Sequence, residues 1–346
     1  MKHYNIPIFI VHYGCPHICV FCNQKKITGV ETNITSNDID LIIKEYLKTL
    51  PEDSYKEVAF FGGSFTGISI KLQKQYLDVV QPYIKSKKIN GIRMSTRPDY
   101  ISKEILDLLK EYSVTTIELG VQSFDDEVLE KSERGYKNEV IYEASNLIKE
   151  YGINLGIQIM PGLPGSNFEK DILSIKEIVK IHPNEVRIYP TLVITETELE
   201  KMYARKEYKP LELEEAVEQV VPMVALLELN DIKIIRTGLQ PSDDLREEGV
   251  VVGGPFHSAF RELVETEIYY KFFNILLRET EVVKVECNEK NTSRIIGINK
   301  KNKVRLGEKF KISRNDKLER NEILINLKKY TRKQILDKII KESGLE

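Results

Sequence analysis

Three of the four cysteines in this 346-residue chain lie within eight residues near its N-terminus. Cys15, Cys19 and Cys22 follow the spacing C-x3-C-x2-C, and the sequence holds no second cysteine pair. A structural zinc site normally takes four protein ligands, often as two C-x2-C pairs. An iron–sulfur cluster fits three thiolates in a short loop better, because one iron of a four-iron cluster is then left for an outside ligand. The spacing therefore predicts a reactive metal centre.

Three further side chains are alternatives for a role at this centre. His12 and His17 flank the cysteines and could supply a fourth ligand or tune the centre through hydrogen bonds. Cys287 lies at the end of the apolar stretch "VVKVEC". We expect it to pack as a small hydrophobic residue, with a role as fourth ligand or thiyl carrier as the alternative.

The composition is that of a globular protein without a membrane segment. Hydrophobic residues make up 41% and charged residues 30% of the sequence, which argues against extended disorder. No apolar run approaches the roughly 18 residues that a membrane span requires, and the N-terminus does not have the pattern of a signal peptide. We therefore expect a cytoplasmic protein, in which clustered thiols serve metal binding or redox chemistry rather than disulfides.

The charge is distributed unevenly along the chain. The formal net charge of the chain is −2, yet residues 281–346 contain 18 Lys and Arg against 10 Asp and Glu. The rest of the chain is correspondingly acidic. A basic C-terminal segment on an acidic body indicates an anionic partner, such as a nucleic acid.

Short apolar runs alternate with segments of helical periodicity from residue 6 to residue 229. This alternation predicts a parallel sheet with right-handed crossovers, either doubly wound or a complete or partial TIM-like barrel. The distinctive motifs follow the predicted strands, where such folds place their active sites: the cysteines, "GGSF", "TRPD", "QSF" and "PGLPG". The predicted strands are residues 6–13, 57–61, 91–96, 115–121, 154–160 and 185–190. The sequence therefore predicts one composite active site.

We predict three regions in the chain. Residues 1–235 form the α/β core, residues 236–280 form an extension with a connecting helix, and residues 281–346 form a small basic α+β domain. In the last region, "SRIIGINKKNKVRL" resembles the glycine-centred loop with which KH modules clamp RNA phosphates, here between a strand and a helix. Its four basic residues would contact phosphates, with a solvated basic surface as the alternative: Lys300, Lys301, Lys303 and Arg305.

The spacing C-x3-C-x2-C, with Phe21 directly before the last cysteine, resembles the signature of the radical S-adenosylmethionine (SAM) enzymes. The resemblance implies a partial (β/α)6 TIM-like barrel. It also implies a [4Fe–4S] cluster on Cys15, Cys19 and Cys22, with SAM completing the fourth iron. In that superfamily, reductive cleavage of SAM gives a 5′-deoxyadenosyl radical that abstracts hydrogen from the substrate.

Several motifs match the positions that contact SAM in this superfamily. "FFGGSF" matches the segment near the methionine amino group. Arg134 and Gln122 match positions that hold the SAM carboxylate and ribose in oxygen-independent coproporphyrinogen oxidase and its relatives. "MPGLPG" and the backbone of residues 20–22 would lie beside the adenine. The predicted cofactor contacts are Phe21, Gly62, Gly63, Ser64, Ser95, Arg97, Gln122, Arg134, Met160, Pro161 and Gly162. Tyr189, at the end of the sixth predicted strand, is the predicted catalytic residue, with packing below the barrel mouth as the alternative.

Longer matches resemble one branch of the superfamily, the radical SAM domain of the Elongator catalytic subunit. The matches are "STRPDY", "IELGVQSFDDEVLEKSERGY", "IQIMPGLPG" and "VRIYPTLV", and the resemblance covers about residues 7–265. "GGPFHSAFRELVETEIYY" resembles the end of that core in short bacterial Elongator-like proteins. Two features depart from the subunit proper: its cysteines have a longer first gap, and its acetyltransferase-like domain has no counterpart in residues 281–346.

That family acts on the wobble uridine of tRNA, so the resemblance implies a radical SAM enzyme that modifies RNA, in particular tRNA, at a C–H position. Flavodoxin or ferredoxin would be its electron donor. Two alternatives stay open. One is a radical SAM enzyme acting on a small molecule, as the coproporphyrinogen oxidase relatives do. The other is a non-catalytic RNA-binding protein with a structural metal site.

Overall fold

The computed structural model describes residues 2–12, 14–15, 19–28, 34–239, 249–319 and 322–346. Within these ranges, no helix combines the length and apolar character needed to cross a membrane. The chain divides into two compact units: unit 1 comprises Met1–Pro210 and Gln240–Gly254, and unit 2 comprises Leu211–Leu239 and Pro255–Glu346. This division does not coincide with the boundaries at residues 235 and 280, which stay a prediction about folding domains.

The described secondary structure is numbered in chain order. The strands are β1 (His3–Phe9), β2 (Tyr55–Phe61), β3 (Gly91–Thr96), β4 (Val114–Gln122), β5 (Asn154–Ile159), β6 (Glu185–Ile188), β7 (Val193–Ile194), β8 (Lys233–Thr237), β9 (Val251–Gly253), β10 (Val283–Cys287), β11 (Phe310–Arg314), β12 (Glu322–Ile325) and β13 (Lys328–Thr331). The helices are α1 (Gln24–Thr28), α2 (Ser36–Thr49), α3 (Ile70–Lys85), α4 (Lys103–Glu111), α5 (Asp126–Lys131), α6 (Asn138–Glu150), α7 (Phe168–Ile181), α8 (Glu198–Ala204), α9 (Leu213–Leu229), α10 (Phe260–Leu276), α11 (Glu289–Ile296), α12 (Lys301–Leu306) and α13 (Arg332–Ser343).

Unit 1 is built on six parallel strands that follow one another in the order β1 to β6. Helices connect successive strands, and the sheet is the partial TIM-like barrel that the family resemblance implied and that the alternation left open beside a doubly wound sheet. Its strands are runs of branched and aromatic residues that are buried almost throughout, as expected for a parallel sheet covered on both faces. All six strands therefore bring their C-terminal ends to the same edge.

Side-chain caps fix where the helices of unit 1 begin. On α2, Thr35 and Asp38 form a reciprocal capping box. Five more helices begin with a polar side chain that accepts a hydrogen bond from a backbone N–H of the first turn, namely α3 (Ser69), α4 (Ser102), α5 (Asp125), α7 (Asn167) and α8 (Thr197). Each cap ends the preceding loop at a defined residue.

The first strand lies closer to the N-terminus than predicted. It was expected over residues 6–13, but β1 pairs with β2 only from His3 to Phe9. The pairing stops because the partner strand ends at Phe61 and the chain turns at Gly62, whose φ is +87°. His12 also has a left-handed φ, of 55°, which ends extended backbone before the cysteines.

A layer of paired charges crosses the interior of the unit 1 sheet. Arg93 on β3 contacts Glu57 on β2 (3.2 Å), Glu118 on β4 (3.3 Å) and Glu185 on β6. The four side chains are between 1% and 10% exposed. Arg187 on β6 adds a second pair to Glu118, with Nε 2.6 Å from Oε2. Along the strands, before the edge formed by their C-terminal ends (the active edge), ion pairs thus replace the apolar residues usual inside such a barrel.

Unit 2 is the small α+β region. Its four-stranded sheet has the order β11-β10-β12-β13, and α9, α10 and α13 pack together. Arg332 at the start of α13 is bound by Glu228 on α9 and by Glu265 on α10. The strand predicted in "IKIIRTGL" is present as β8.

The predicted glycine-centred loop is placed differently. Gly297 lies between two helices, α11 and α12, rather than between a strand and a helix. Asn288 caps the segment after β10, so the chain enters α11 before it reaches the glycine. Gly297 is buried, with a φ of +83°, and a Cβ there would lie 2.3 Å from Cγ2 of Thr266. The glycine therefore serves a close approach of helices within unit 2.

Candidate active site

The cysteine loop is held against the loop after β2 by two glycines. Gly14 has a φ of +74°, and a Cβ on it would lie 2.1 Å from the carbonyl oxygen of Ser64. A Cβ on Gly67 would lie 2.3 Å from the carbonyl oxygen of Gly14. Since only glycine permits both approaches, the sequence brings the first cysteine beside "GGSF".

The middle of the cysteine loop is fixed through the backbone of Val20. Its N–H donates to the carbonyl of Ser132 (3.4 Å), and its carbonyl accepts from the N–H of Leu199 (2.7 Å). The side chain of Phe21 is buried with Val128, Leu163 and other apolar residues. Both polar groups of Val20 thus already have a partner within the chain. The backbone of Phe21 has no hydrogen-bond partner among the described residues.

Each of the three cysteines has a polar side chain beside its sulfur. Ser64 Oγ lies 3.5 Å from Cys15 Sγ. Gln24 Nε2 donates to Cys22 Sγ over 3.7 Å, and Arg134 Nη1 donates to Cys19 Sγ over 3.0 Å. Burial, together with the neighbouring Cys19 and Cys15, raises the pKa of the Cys22 thiol to about 12. The three sulfurs are therefore close enough to repel as thiolates, unless a positive group lies between them.

Arg134 is buried and almost fully hydrogen-bonded. Nη2 donates to the carbonyl of Gly120 and to the Tyr136 hydroxyl (2.9 Å), and Nε donates to the same hydroxyl (3.1 Å). The Gly120 carbonyl lies at a bulge, where the β4–β5 register shifts between Gly120 and Gln122. The strand irregularity thus creates the acceptor that holds this guanidinium.

Arg97 follows β3 and is also buried. Its Nε and Nη2 donate to the two carboxylate oxygens of Asp99 (2.9 and 2.8 Å), and Nη2 also donates to the carbonyl of Arg134. Nη1 is buried without a hydrogen-bond partner in the described chain. An unpartnered guanidinium N–H is costly in a protein interior, so this atom is placed to take an anionic group.

Gln122 ends β4 in a strained conformation. Its φ is 74°, which is uncommon for a non-glycine residue. The side-chain oxygen accepts from Gln158 Nε2 (3.2 Å), and the backbone carbonyl accepts from the N–H of Met160 (2.9 Å). The bulge therefore turns the backbone of Gln122 at the C-terminal end of β4, and these two hydrogen bonds link Gln122 to the end of β5.

The loop after β5 is anchored at Pro161 and Gly162. The Pro161 carbonyl accepts two hydrogen bonds from Thr191, each of 2.9 Å. The N–H of Gly162, whose φ is +81°, donates to Asp171 (3.0 Å), and its carbonyl accepts from the Tyr208 hydroxyl (2.6 Å). Burial raises the pKa of Asp171 to about 7, against the opposing effect of its hydrogen bonds from Ser166 and Gly162.

Tyr189, the predicted catalytic residue, lies just beyond β6 and is largely buried. Its hydroxyl oxygen accepts from Arg187 Nη1 (2.9 Å), and Arg187 Nη2 donates to Glu118 (3.0 Å). With its oxygen occupied as an acceptor, the hydroxyl hydrogen has no acceptor in the described residues and is free to be donated elsewhere.

The other residues predicted from the sequence are Gly62, Gly63, Ser95, His12, His17 and Cys287. Gly62 accepts a hydrogen bond from the N–H of His12 (3.1 Å), and Gly63 follows it. Ser95 is two residues after Arg93 on β3 and so shares its face of the sheet. His12 Nε2 accepts from the N–H of Gln24 (3.0 Å), which links the turn to α1. His17 lies outside the described residues. Cys287 is fully buried in unit 2, and burial raises its pKa.

The donor set fits an iron–sulfur cluster better than a single ion. Within the described residues, no group of three or more His, Cys, Asp or Glu has the geometry to hold one metal ion. A four-iron cluster requires a different arrangement of ligands, because each thiolate binds a different iron. The site also buries two guanidiniums: Arg97 is paired with Asp99, whereas Arg134 has no carboxylate partner in the described residues and leaves an excess of positive charge. A cluster on three thiolates is negatively charged and would balance this excess.

Several residues of the site were not predicted from the sequence. They are Gln24, Glu118, Tyr136, Asp171, Arg187 and Tyr208. For Glu118 and Arg187 a signal was present, because each is a charged residue between apolar neighbours within a predicted strand, "TTIELGV" and "EVRIYP". Asp171 contacts the loop after β5 from α7, and Tyr208 contacts it from the connection between α8 and α9. No local sequence pattern marks either contact.

Comparisons with known proteins agree with this arrangement. A family model described as the radical SAM superfamily matches residues 9–177, and one described as the radical SAM C-terminal domain matches residues 183–270. A tRNA uridine(34) acetyltransferase of Methanocaldococcus infernus is 35% identical over 248 residues, which are 60% of this chain and 46% of the relative. Human Elongator complex protein 3 is 34% identical over 143 residues, which are 40% of this chain and 26% of that protein.

A solved structure shows the same similarity in three dimensions. The archaeal Elp3 of Methanocaldococcus infernus, with its N-terminus deleted, superposes with a TM-score of 0.62 at 27% identity. The match covers 78% of this chain and 63% of that one. The chain spans less than half the length of these two curated relatives, the acetyltransferase and the human protein.

Proposed function

This chain belongs to the radical SAM superfamily, and on that premise we propose that Cys15, Cys19 and Cys22 hold a [4Fe–4S] cluster to which SAM binds. Together the reduced cluster and SAM would supply a 5′-deoxyadenosyl radical that removes hydrogen from a substrate carbon. The observation that carries this proposal is the set of three thiols, each with its own polar neighbour, one of which is the buried Arg134. Flavodoxin or ferredoxin is the proposed electron donor.

The loops at the active edge would bind SAM through groups that the fold has already oriented. The unpartnered Nη1 of Arg97 suits the carboxylate, and Gln122 suits a ribose hydroxyl. The turn at Gly62, Gly63 and Ser64 leaves backbone near the methionine amino group. The free backbone of Phe21 and the anchored loop of Met160, Pro161 and Gly162 would flank the adenine. Ser95 would face the cofactor from β3.

The proposed substrate is RNA, in particular tRNA, modified at a C–H position. Two observations support it: a relative is named for a tRNA uridine, and residues 281–346 are basic. Lys300 and Lys303 are exposed, with no partner in the described chain. Arg305, by contrast, is paired with Glu267 (2.6 Å) and stacked on Tyr270. The free lysines are therefore better placed than the arginine to contact phosphates.

Tyr189 is the proposed catalytic residue. Arg187 already donates to its oxygen and its hydrogen has no acceptor in the described chain, so the hydroxyl is left to donate, and a carbonyl of the substrate is a suitable acceptor. We expect Tyr189→Phe to leave SAM binding unchanged while slowing formation of the modified product. A fall in SAM affinity instead would place Tyr189 in packing around the cofactor.

Bulk tRNA tests the proposed substrate. The reconstituted protein is reduced anaerobically with dithionite and given SAM with tRNA, with coproporphyrinogen, or with neither. Stimulation of 5′-deoxyadenosine formation by tRNA alone supports the proposal. Stimulation by coproporphyrinogen alone would favour a small-molecule enzyme. Bound zinc, without iron and without any response to SAM, would leave a non-catalytic RNA-binding protein.

A charge-reversal pair tests the proposed RNA contact. Replacing Lys300 and Lys303 with Glu should weaken tRNA binding and reduce the slope of log K against log salt concentration by about 2. The matched control replaces Lys71 and Lys74, which are exposed on α3, with Glu. An equal effect of the two charge reversals would show only nonspecific electrostatic attraction of RNA. No effect of either would show that Lys300 and Lys303 do not contact the RNA.

A further inference from the structure

Arg134 is directed at a cysteine sulfur by contacts that do not depend on that sulfur. Nε and Nη2 of its guanidinium are bound by the Tyr136 hydroxyl and the Gly120 carbonyl, and its backbone N–H donates to the carbonyl of Leu129 (3.0 Å). A guanidinium is rigid and planar, so fixing two of its nitrogens also fixes the third. Nη1 therefore points at Cys19 Sγ because of β4 and Tyr136.

Cys19 is held in place from its own side. The neighbouring Val20 is bonded through its N–H to Ser132 and through its carbonyl to Leu199. Ser132 and Arg134 belong to the same turn at the end of α5, so the sulfur and the guanidinium are fixed to one piece of backbone. Their separation, 3.0 Å, is that of a charge-assisted N–H···S hydrogen bond.

The two buried arginines differ in what they leave open. Arg97 is bonded to Asp99 and to the backbone of Arg134, and its Nη1 is unpartnered. Arg134 is bonded to a sulfur and has no carboxylate partner in the described chain. The sequence resemblance assigned the SAM carboxylate to Arg134, but the geometry offers Arg97 for an added anion and Arg134 for the sulfur.

We propose that Arg134 acts on the cluster through the sulfur of Cys19 and sets its reduction potential, and that Arg97 receives the SAM carboxylate. Reduction adds negative charge to the cluster and its thiolates, and a positive N–H donor on a ligand sulfur stabilises that charge. Arg134 thereby makes the cluster easier to reduce. This inference rests on the proposed function, since it requires the cluster to be present.

The test is a redox titration of the SAM-free cluster, followed by electron paramagnetic resonance. Arg134→Gln should shift the reduction equilibrium at least tenfold toward the oxidised state, a fall of 59 mV for one electron. Arg97→Gln should shift it less, because Arg97 has no contact with a sulfur. In a SAM titration the order reverses, and Arg97→Gln should weaken binding at least tenfold, more than Arg134→Gln does.

The outcomes separate this inference from the proposed function. A wild-type protein that assembles no cluster refutes the proposed function itself. An unchanged potential in Arg134→Gln, with weakened SAM binding, refutes only the inference and returns the carboxylate to Arg134. Arg134→Lys, which keeps the charge, should show a smaller shift. If both Arg134 variants lower the melting temperature of the cluster-free protein, its role is structural and the inference fails. Loss of iron from both Arg134 variants at an unchanged melting temperature would assign Arg134 to holding the cluster and would refute a role in setting its potential.

Discussion

The buried ion pairs inside the unit 1 sheet make Arg93 the side chain whose removal should destabilise the barrel most. In Arg93→Met, Glu57 keeps His3 at 2.7 Å and Glu118 keeps Arg187 at 2.6 Å. Glu185 has no other partner in the described chain, so its buried carboxylate is left uncompensated. Removing one partner of a buried pair costs about 3–5 kcal/mol. For a chain of 346 residues, with an unfolding entropy of about 2.1 cal/mol/K per residue, that corresponds to a fall in melting temperature of about 4–7 °C.

Urea and thermal unfolding of the cluster-free protein, followed by far-ultraviolet circular dichroism, measure this loss. Arg93→Met with Glu185→Gln is the matched control, because it removes the stranded charge and should recover a large part of the stability. The single variant Glu185→Gln measures the effect of that substitution alone, which completes the double-mutant cycle. The uncompensated charge on Glu185 is refuted as the cause if Arg93→Met unfolds within about 0.5 kcal/mol of the wild type, the range of ordinary surface substitutions, or if the double variant is no more stable than Arg93→Met.

Three further predictions concern the loops and the fourth cysteine. The pKa of Asp171 is raised to about 7, so the folded chain keeps a proton on this carboxyl that the unfolded chain releases between about pH 4 and 7. The free energy of unfolding therefore falls as pH rises through this range, by at most about 4 kcal/mol. Asp171→Asn should flatten this pH dependence in urea unfolding, and an unchanged slope would show that the carboxyl is already ionised. Gly14→Ala should lower iron content and melting temperature more than Gly152→Ala does. Both glycines have positive φ, but only Gly14 meets backbone, whereas the space around Gly152 is open. Equal effects would contradict the close approach. Cys287→Ala should keep the wild-type iron content by iron analysis, and loss of iron would make Cys287 a ligand.

The barrel could be predicted because its signals are local and repeated. Each strand is a short buried run, and the motifs that follow the strands share one edge of the sheet by topology alone. The end of β1 could not be predicted, since it depends on where its partner β2 stops. Gly297 was misplaced for a related reason, because the same residues continue a helix once Asn288 caps it.

The site was predicted in part, and the parts that were missed have a common cause. Motif matching found residues at or after strand ends, including Cys19 and Gln122, and Arg134 in the turn after α5. It did not find what orients them, because the Gly120 carbonyl becomes an acceptor only through a bulge, and Tyr136 reaches it through a turn. Such contacts depend on backbone geometry, and a sequence pattern records side-chain types.

The most direct test of the central claim is anaerobic reconstitution with iron and sulfide, reduction, and addition of SAM. The account predicts a brown protein with a four-iron cluster whose electron paramagnetic resonance signal changes when SAM is added. It also predicts 5′-deoxyadenosine in the wild type and none in Cys19→Ala. A well-folded protein that binds zinc but no iron, with no spectroscopic response to SAM, would contradict the account.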